Sequence, residues 1–194
     1  MKTITTIALL LTLSLGSCVS HKVERVDVNE QIDLSGSWND TDSRMVAEEM
    51  VNQILTGGWL TDFTSKNPGK KPVVVVGIIY NKSHEHINSD TYIKDVEKAF
   101  INSGKVRVAQ AGEKREELRR ERAGQQEYAS AETTKSWGKE LGADFLLTGD
   151  INSIIDQYKK EKVVFYQVNL NLSDIETNEV IWVGDKKLKK YINN

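Results

Sequence analysis

Residues 164–174, "VFYQVNLNLSD", alternate strictly: Val164, Tyr166, Val168, Leu170 and Leu172 are separated by Phe165, Gln167, Asn169 and Asn171. Successive strand residues point to opposite faces, so this stretch predicts an antiparallel strand with one buried and one wet face. Working outward, "ADFLLTGDI" before it leads into a strand continuing toward Tyr158, and "KKEK" turns the chain. After it, "ETNE" is a turn and "VIWVGDKKLKKY" a last strand, whose lysines discourage edge-to-edge pairing. The C-terminal third is therefore an antiparallel meander.

The rest supplies helices and a more buried strand. Val46, Met50 and Ile54 repeat every four residues beside Ala47 and Val51, predicting a helix over about 42–55. Asp40, Thr41, Asp42 and Ser43 offer capping oxygens, and Gly57-Gly58 marks its end. Residues 61–72, rich in Asn, Pro, Gly and Lys, read as a loop. Val73–Tyr80 is an unbroken β-branched run, which predicts a strand covered on both faces. A helix over about 91–101 carries Ile93, Val96 and Phe100, and Gly104 closes it in a left-handed turn. "KVRVAQ" is a short strand. Residues 113–128 mix both signs of charge as a solvated helix does, and a further helix over about 130–141 buries Trp137 and Leu141. The expectation is an α/β (α+β) fold: a mixed sheet with a C-terminal antiparallel meander, flanked by about four helices.

The N-terminus has a different character. Lys2 precedes a short apolar run, Ile7–Leu15, and Gly16 and Ser17 stand before Cys18, the one cysteine of 194 residues. The run falls short of the roughly 20 residues a membrane-crossing helix needs, so residues 1–17 read as a signal peptide. Leu15-Gly16-Ser17-Cys18 resembles the bacterial lipobox, which implies cleavage before Cys18 and acylation of its thiol. Two or three acyl chains hold a protein stably on a membrane where one does not. By analogy with lipoprotein sorting, Val19 after the cysteine implies the outer membrane, facing the periplasm. Residues 18–36 are then a lipidated N-terminus and short tether, and 37–194 a single globular domain.

Without Lys2 the mature chain has 25 basic and 28 acidic residues, a net charge of −3. This balance excludes a nucleic-acid binder that relies on net charge. With 39% hydrophobic and 28% charged residues the composition is that of an ordinary globular protein. No large apolar surface stripe is evident, which is compatible with a monomer.

Catalytic chemistry finds no footing. His21 lies in the tether, and His84 and His86 share the loop "YNKSHEH", residues 80–86, with only Glu85 beside them. Zinc needs three or four ligands, so no metal is expected. Asp144, Asp150 and Asp156 are spaced by six, about 20 Å apart on a strand, too far for a catalytic carboxylate pair. "NPGKKP" lacks the distal glycine and hydroxyl of a phosphate-binding loop. The expectation is a protein with no enzyme activity and no cofactor. For one that works by binding, the candidate contact residues are Trp38, Asn81 and His84. Trp38, just before the first helix, reads either as a staple reaching Met45 or Val46, or as an exposed anchor for a partner.

Five segments in order, "DLSGSWNDTDSRMVAEEMV", "VVVVGIIYNKS", "INSGKVRVAQ", "ELGADFLLTGDI" and "YQVNLNLSDIETNEVIWVGDKKLKK", resemble the penicillin-binding protein activators of the LpoB type. The likeness runs from about Asp33 to Tyr191. It implies an outer-membrane lipoprotein whose domain is similar to the amino-terminal domain of TolB and to CsgG-like proteins. It also implies a non-catalytic role, allosteric activation of a bifunctional peptidoglycan synthase. The family's founding member has a long proline-rich tether, whereas Pro68 and Pro72 here lie within the domain, so the tether is short, and either the partner lies close to the outer membrane or the function has drifted to another envelope partner. The alternative is a CsgG-like secretion component or another envelope adaptor, for which residues 151–172 are the hairpin of sufficient length.

Overall fold

The computed structural model describes residues 23–28, 30–128 and 142–193. The signal peptide, Cys18 and the helix expected over 130–141 lie outside the described residues. The chain divides into a unit ending at Gln31 and a compact unit, Ile32–Asn194, which holds the core.

Within that compact unit the elements are α1 (Asp40–Leu55), α2 (Gly58–Lys66), β1 (Val73–Lys82), α3 (Ser89–Ser103), β2 (Arg107–Val108), α4 (Gly112–Tyr128), β3 (Phe145–Tyr158), β4 (Glu161–Asp174) and β5 (Val180–Asn193). The strands form one mixed sheet in the order β2-β1-β3-β4-β5. β1 runs parallel to β2 and β3, whereas β3, β4 and β5 are antiparallel neighbours, which is the expected meander.

Register explains the alternation read from the sequence. Val164, Tyr166, Val168, Leu170 and Leu172 are all buried, and across β3 they face Ile155, Ser153, Ile151, Gly149 and Leu147. α1 and α3 cover this face with Val46, Ala47, Met50 and Ile54 from one helix and Tyr92, Val96 and Phe100 from the other. Gly149 is required here, because a Cβ at this position would stand 2.1 Å from the Asn169 carbonyl oxygen and 2.6 Å from Leu170 Cδ2. β1 is buried at Val73–Val76, as its unbroken apolar character predicts. Beyond a register shift between Val76 and Ile79, the outward residues Ile78 and Tyr80 are exposed.

Two local expectations are corrected. α1 starts at Asp40 because Asn39 caps it: the Asn39 side chain accepts from Asp42 N at 3.1 Å and Asp42 Oδ2 accepts from Asn39 N at 3.0 Å. The glycines at 57 and 58 do not lead to a loop. Gly57 is extended and opens α2, a nine-residue helix. Trp59 drives this by tertiary contact: it is buried, its indole donates to the Ile54 carbonyl at 2.7 Å, and its ring lies edge-on to Phe145. Phe63, one turn later, meets the same Phe145.

The segment before α1 is tied to the far edge of the sheet. Lys190 Nζ on β5 donates to Asp33 Oδ1 at 3.0 Å, to the Ser37 carbonyl at 3.0 Å and to Asp42 Oδ2 at 2.5 Å. Gly36, at φ 71°, lies where a side chain would collide with Ile192.

Candidate partner-binding site

Trp38, Asn81 and His84 converge on one loop, 83–88, which follows β1. Glu85 is its centre. Its carboxylate accepts from Trp38 N at 2.9 Å through Oε2 and from the Tyr166 hydroxyl at 2.7 Å through Oε1. Its carbonyl accepts from Asn81 Nδ2 at 2.7 Å and Ser83 Oγ at 3.1 Å. Asn81 Oδ1 in turn accepts from Ser83 N and Oγ. Each side-chain bond replaces one that this short connection cannot make with a neighbouring strand, so the loop is held in one shape.

The roles of the three residues differ. Asn81 is the internal brace of the loop. Trp38 is half-buried; its indole donates to Ser43 Oγ at 2.8 Å, and its ring packs edge-on against Tyr92 at 6.4 Å and Tyr166 at 5.5 Å. It fixes the start of α1 through Ser43 and these two tyrosines, while Met45 is turned to solvent. His84 is exposed, with its backbone N donating to the buried Ser153 Oγ at 2.9 Å and its Nδ1 at the same distance from that oxygen. Burial and the bond to Glu85 push the Tyr166 hydroxyl well above the usual tyrosine range, so it stays a donor at neutral pH.

Around the edge of β1 the surface continues onto the outward face of the sheet. Lys82 Nζ reaches Asp150 Oδ2 at 3.0 Å, and Asp150 also accepts from Asn152 and Asn169. Partial burial would raise the Asp150 pKa, but these three donors outweigh it and hold the carboxyl below the usual range. Exposed Ile78 and Tyr80 stand beside this polar cluster. Sequence reasoning missed Glu85 and Asp150 as organising residues, because the partners that tie them to the rest of the fold, Trp38 and Tyr166 for Glu85 and Lys82 for Asp150, lie 47, 81 and 68 positions away.

The serine–histidine pair in this arrangement, Ser153 Oγ with His84 Nδ1 at 2.9 Å, has its serine buried and its hydroxyl oxygen also bonded to the His84 backbone N, so it reads as a brace for the loop. Among the described residues no group of three or more His, Cys, Asp or Glu side chains could hold a metal ion, and no helix is long and apolar enough to cross a membrane. What the geometry offers is a braced, hydrogen-bonded surface with a few exposed side chains, suited to binding.

The model of the peptidoglycan-synthase activator LpoB family matches residues 42–188, from α1 to β5. The chain belongs to this family. LpoB-family proteins are non-enzymatic adaptors that activate penicillin-binding proteins from the periplasm. Among solved structures, the LpoB C-terminal domain from Salmonella enterica is 16% identical, with 76% of this chain and 98% of that one covered and a TM-score of 0.42. For the Escherichia coli LpoB C-terminal domain the values are 17%, 79%, 99% and 0.40. Lipoprotein GNA1162 from Neisseria meningitidis is 16% identical, covering 64% of this chain and 86% of its own, with a TM-score of 0.38. No curated protein matches the sequence.

Proposed function

We propose that this LpoB-family domain binds a bifunctional peptidoglycan synthase in the periplasm and favours its active state, from an anchor on acylated Cys18 in the outer membrane. The family match over residues 42–188 carries the reading. An activator of this kind needs no chemistry of its own. It needs a surface that fits one conformation of the synthase better than another, because a ligand shifts an equilibrium only by its differential affinity. A braced loop suits this task, since a surface already ordered loses little entropy on binding. We assign the contact to the surface around His84, with Trp38 and Asn81 holding the loop in place, and to the adjoining Lys82, Ile78 and Tyr80.

The test is a polymerisation assay on lipid-linked peptidoglycan precursor, using the organism's own synthases with and without the mature chain, alongside a direct binding measurement. Stimulation and binding by one synthase are expected, and the double substitution Lys82→Glu, His84→Glu should weaken binding about tenfold or more. If the folded chain neither binds nor stimulates any of the synthases, the proposal is wrong. If it does both but the double variant behaves as the parent, the assigned surface is wrong.

A further inference from the structure

The end of the sheet at which the chain arrives from its N-terminus is also its basic, aromatic end. Asp33 is bonded to Lys190, which pairs with Val164, and Gly36 lies on Ile192, which pairs with Lys162. Both contacts lie within a few residues of the β3–β4 turn, where Tyr158 pairs with Glu161. The turn itself is Lys159-Lys160, with Lys159 Nζ over the Tyr158 ring at 5.1 Å.

Strand register collects the outward residues of this end into three rows. Ile154, Phe165 and Lys189 form one, Asp156, Val163 and Tyr191 the next, and Tyr158, Glu161 and Asn193 the last. Ile154, Tyr158 and Tyr191 are largely exposed. Three lysines, 159, 160 and 189, stand here with the two carboxylates of Asp156 and Glu161, and Glu161 is engaged by the Tyr191 hydroxyl at 2.6 Å; Lys162 has the register of the core face. The whole chain, by contrast, carries a net charge of −2.

We propose that this end of the domain is a membrane-contact surface for anionic phospholipid. Lysine ammonium groups meet headgroup phosphates, while tyrosine rings and an isoleucine lie at the headgroup level, the depth that amphipathic rings prefer. Lysine stems can lie along the apolar part of the patch with their charges outward. The point of arrival favours lipid over an acidic protein. On the Cys18 anchor proposed above, the chain from residue 18 to Asp33 reaches at most about 50 Å when extended, and it joins the domain at this end of the sheet, on the core-facing side, so the anchor keeps this end within about that distance of the bilayer. The contact would set which way the remaining surfaces face. It does not depend on the identity of the synthase.

The experiment is vesicle co-sedimentation of the mature chain, residues 18–194, carrying Cys18→Ser so that no acyl chain contributes. Vesicles of phosphatidylglycerol with phosphatidylethanolamine are compared with vesicles of phosphatidylcholine. Binding to the anionic vesicles is expected to exceed that to the neutral ones, to fall about fivefold for each of Lys159→Gln, Lys160→Gln and Lys189→Gln, and to weaken in high salt. Tyr158→Ser with Ile154→Ser should reduce it further while leaving the thermal midpoint near that of the parent. Equal binding to both vesicle types, or none to either, overturns the proposal. So does capture of soluble polyglutamate without capture of anionic vesicles, which would mark the patch as a site for an acidic protein.

Discussion

Replacing Lys190 with methionine keeps the length of the side chain and removes its charge. The Lys190 side chain is 15% exposed, and its ammonium group bridges Asp33, whose side chain is 36% exposed, Asp42, whose side chain is 7% exposed, and the Ser37 carbonyl. Removing one partner of a fully buried pair costs about 3–5 kcal/mol, and an exposed pair contributes about 0–1 kcal/mol. This bridge sits at the rim and Asp42 keeps its bond from Asn39 N, so the expected loss is about 2 kcal/mol. For a domain of this size that is a fall of roughly 4–8 °C in thermal midpoint. Asp42→Asn should approach the same loss, whereas Asp33→Asn should cost under about 1 kcal/mol because water screens it. The pH dependence supplies an independent check. Burial alone would lower the Lys190 pKa, but its carboxylate partners more than offset this and raise it. A raised lysine pKa gives stability that is complete below the unfolded value of 10.5 and is lost as pH rises through the folded value. Tyr92 and Tyr166 steepen the alkaline loss in both proteins, since their values are raised as well. The informative quantity is therefore the difference between parent and Lys190→Met in urea unfolding, from pH 7 to 11. It should narrow toward the alkaline end. A constant difference, or a loss below about 0.5 kcal/mol at pH 7, would refute the ion-pair account.

Gly149→Ala forces a methyl group onto the Asn169 carbonyl and should destabilise by about 3 kcal/mol or more in denaturant unfolding. A loss below about 1 kcal/mol would show that β3 and β4 can separate there. Asn39→Ala removes the α1 cap and should cost about 1 kcal/mol, with Asn39→Asp retaining most of it. Asp150 titrates in the other direction from Lys190. Its lowered pKa gives stability present above the unfolded value of 3.8 and lost as pH falls through the folded one, so Asp150→Asn should flatten the acid limb of the stability profile.

The meander was legible because its physics is local. Alternation at period two in β4 requires one buried face, and an antiparallel neighbour on each side follows from turns only a few residues long. α1 and α3 were legible for the same reason, through apolar spacing. α2 was not. Gly58 and the polar residues around it favour a loop, and what makes the segment helical is Trp59 and Phe63 meeting Phe145, more than eighty residues further on. Local propensity is a weak prior that such packing overrides.

The same distinction applies to the candidate site, and it bears on function. Histidine and tryptophan drew attention as residue types, yet the loop is organised by Glu85, bonded to residues 47 positions before it and 81 after it. A catalytic site announces itself through a few reactive residue types at characteristic spacings. A surface that activates another protein by fitting it has no such signature, because any exposed side chain serves if the backbone beneath is held still. In this chain that backbone is held by Glu85, Asn81 and the Trp38–Tyr166 contact, while the exposed side chains that would meet a partner are Lys82, His84 and Tyr80. Substitutions in the brace should therefore act on affinity through loop order, and those at the exposed positions through direct contact. The first kind should raise amide hydrogen exchange across residues 83–88 and the second should leave it unchanged, even where both weaken binding equally.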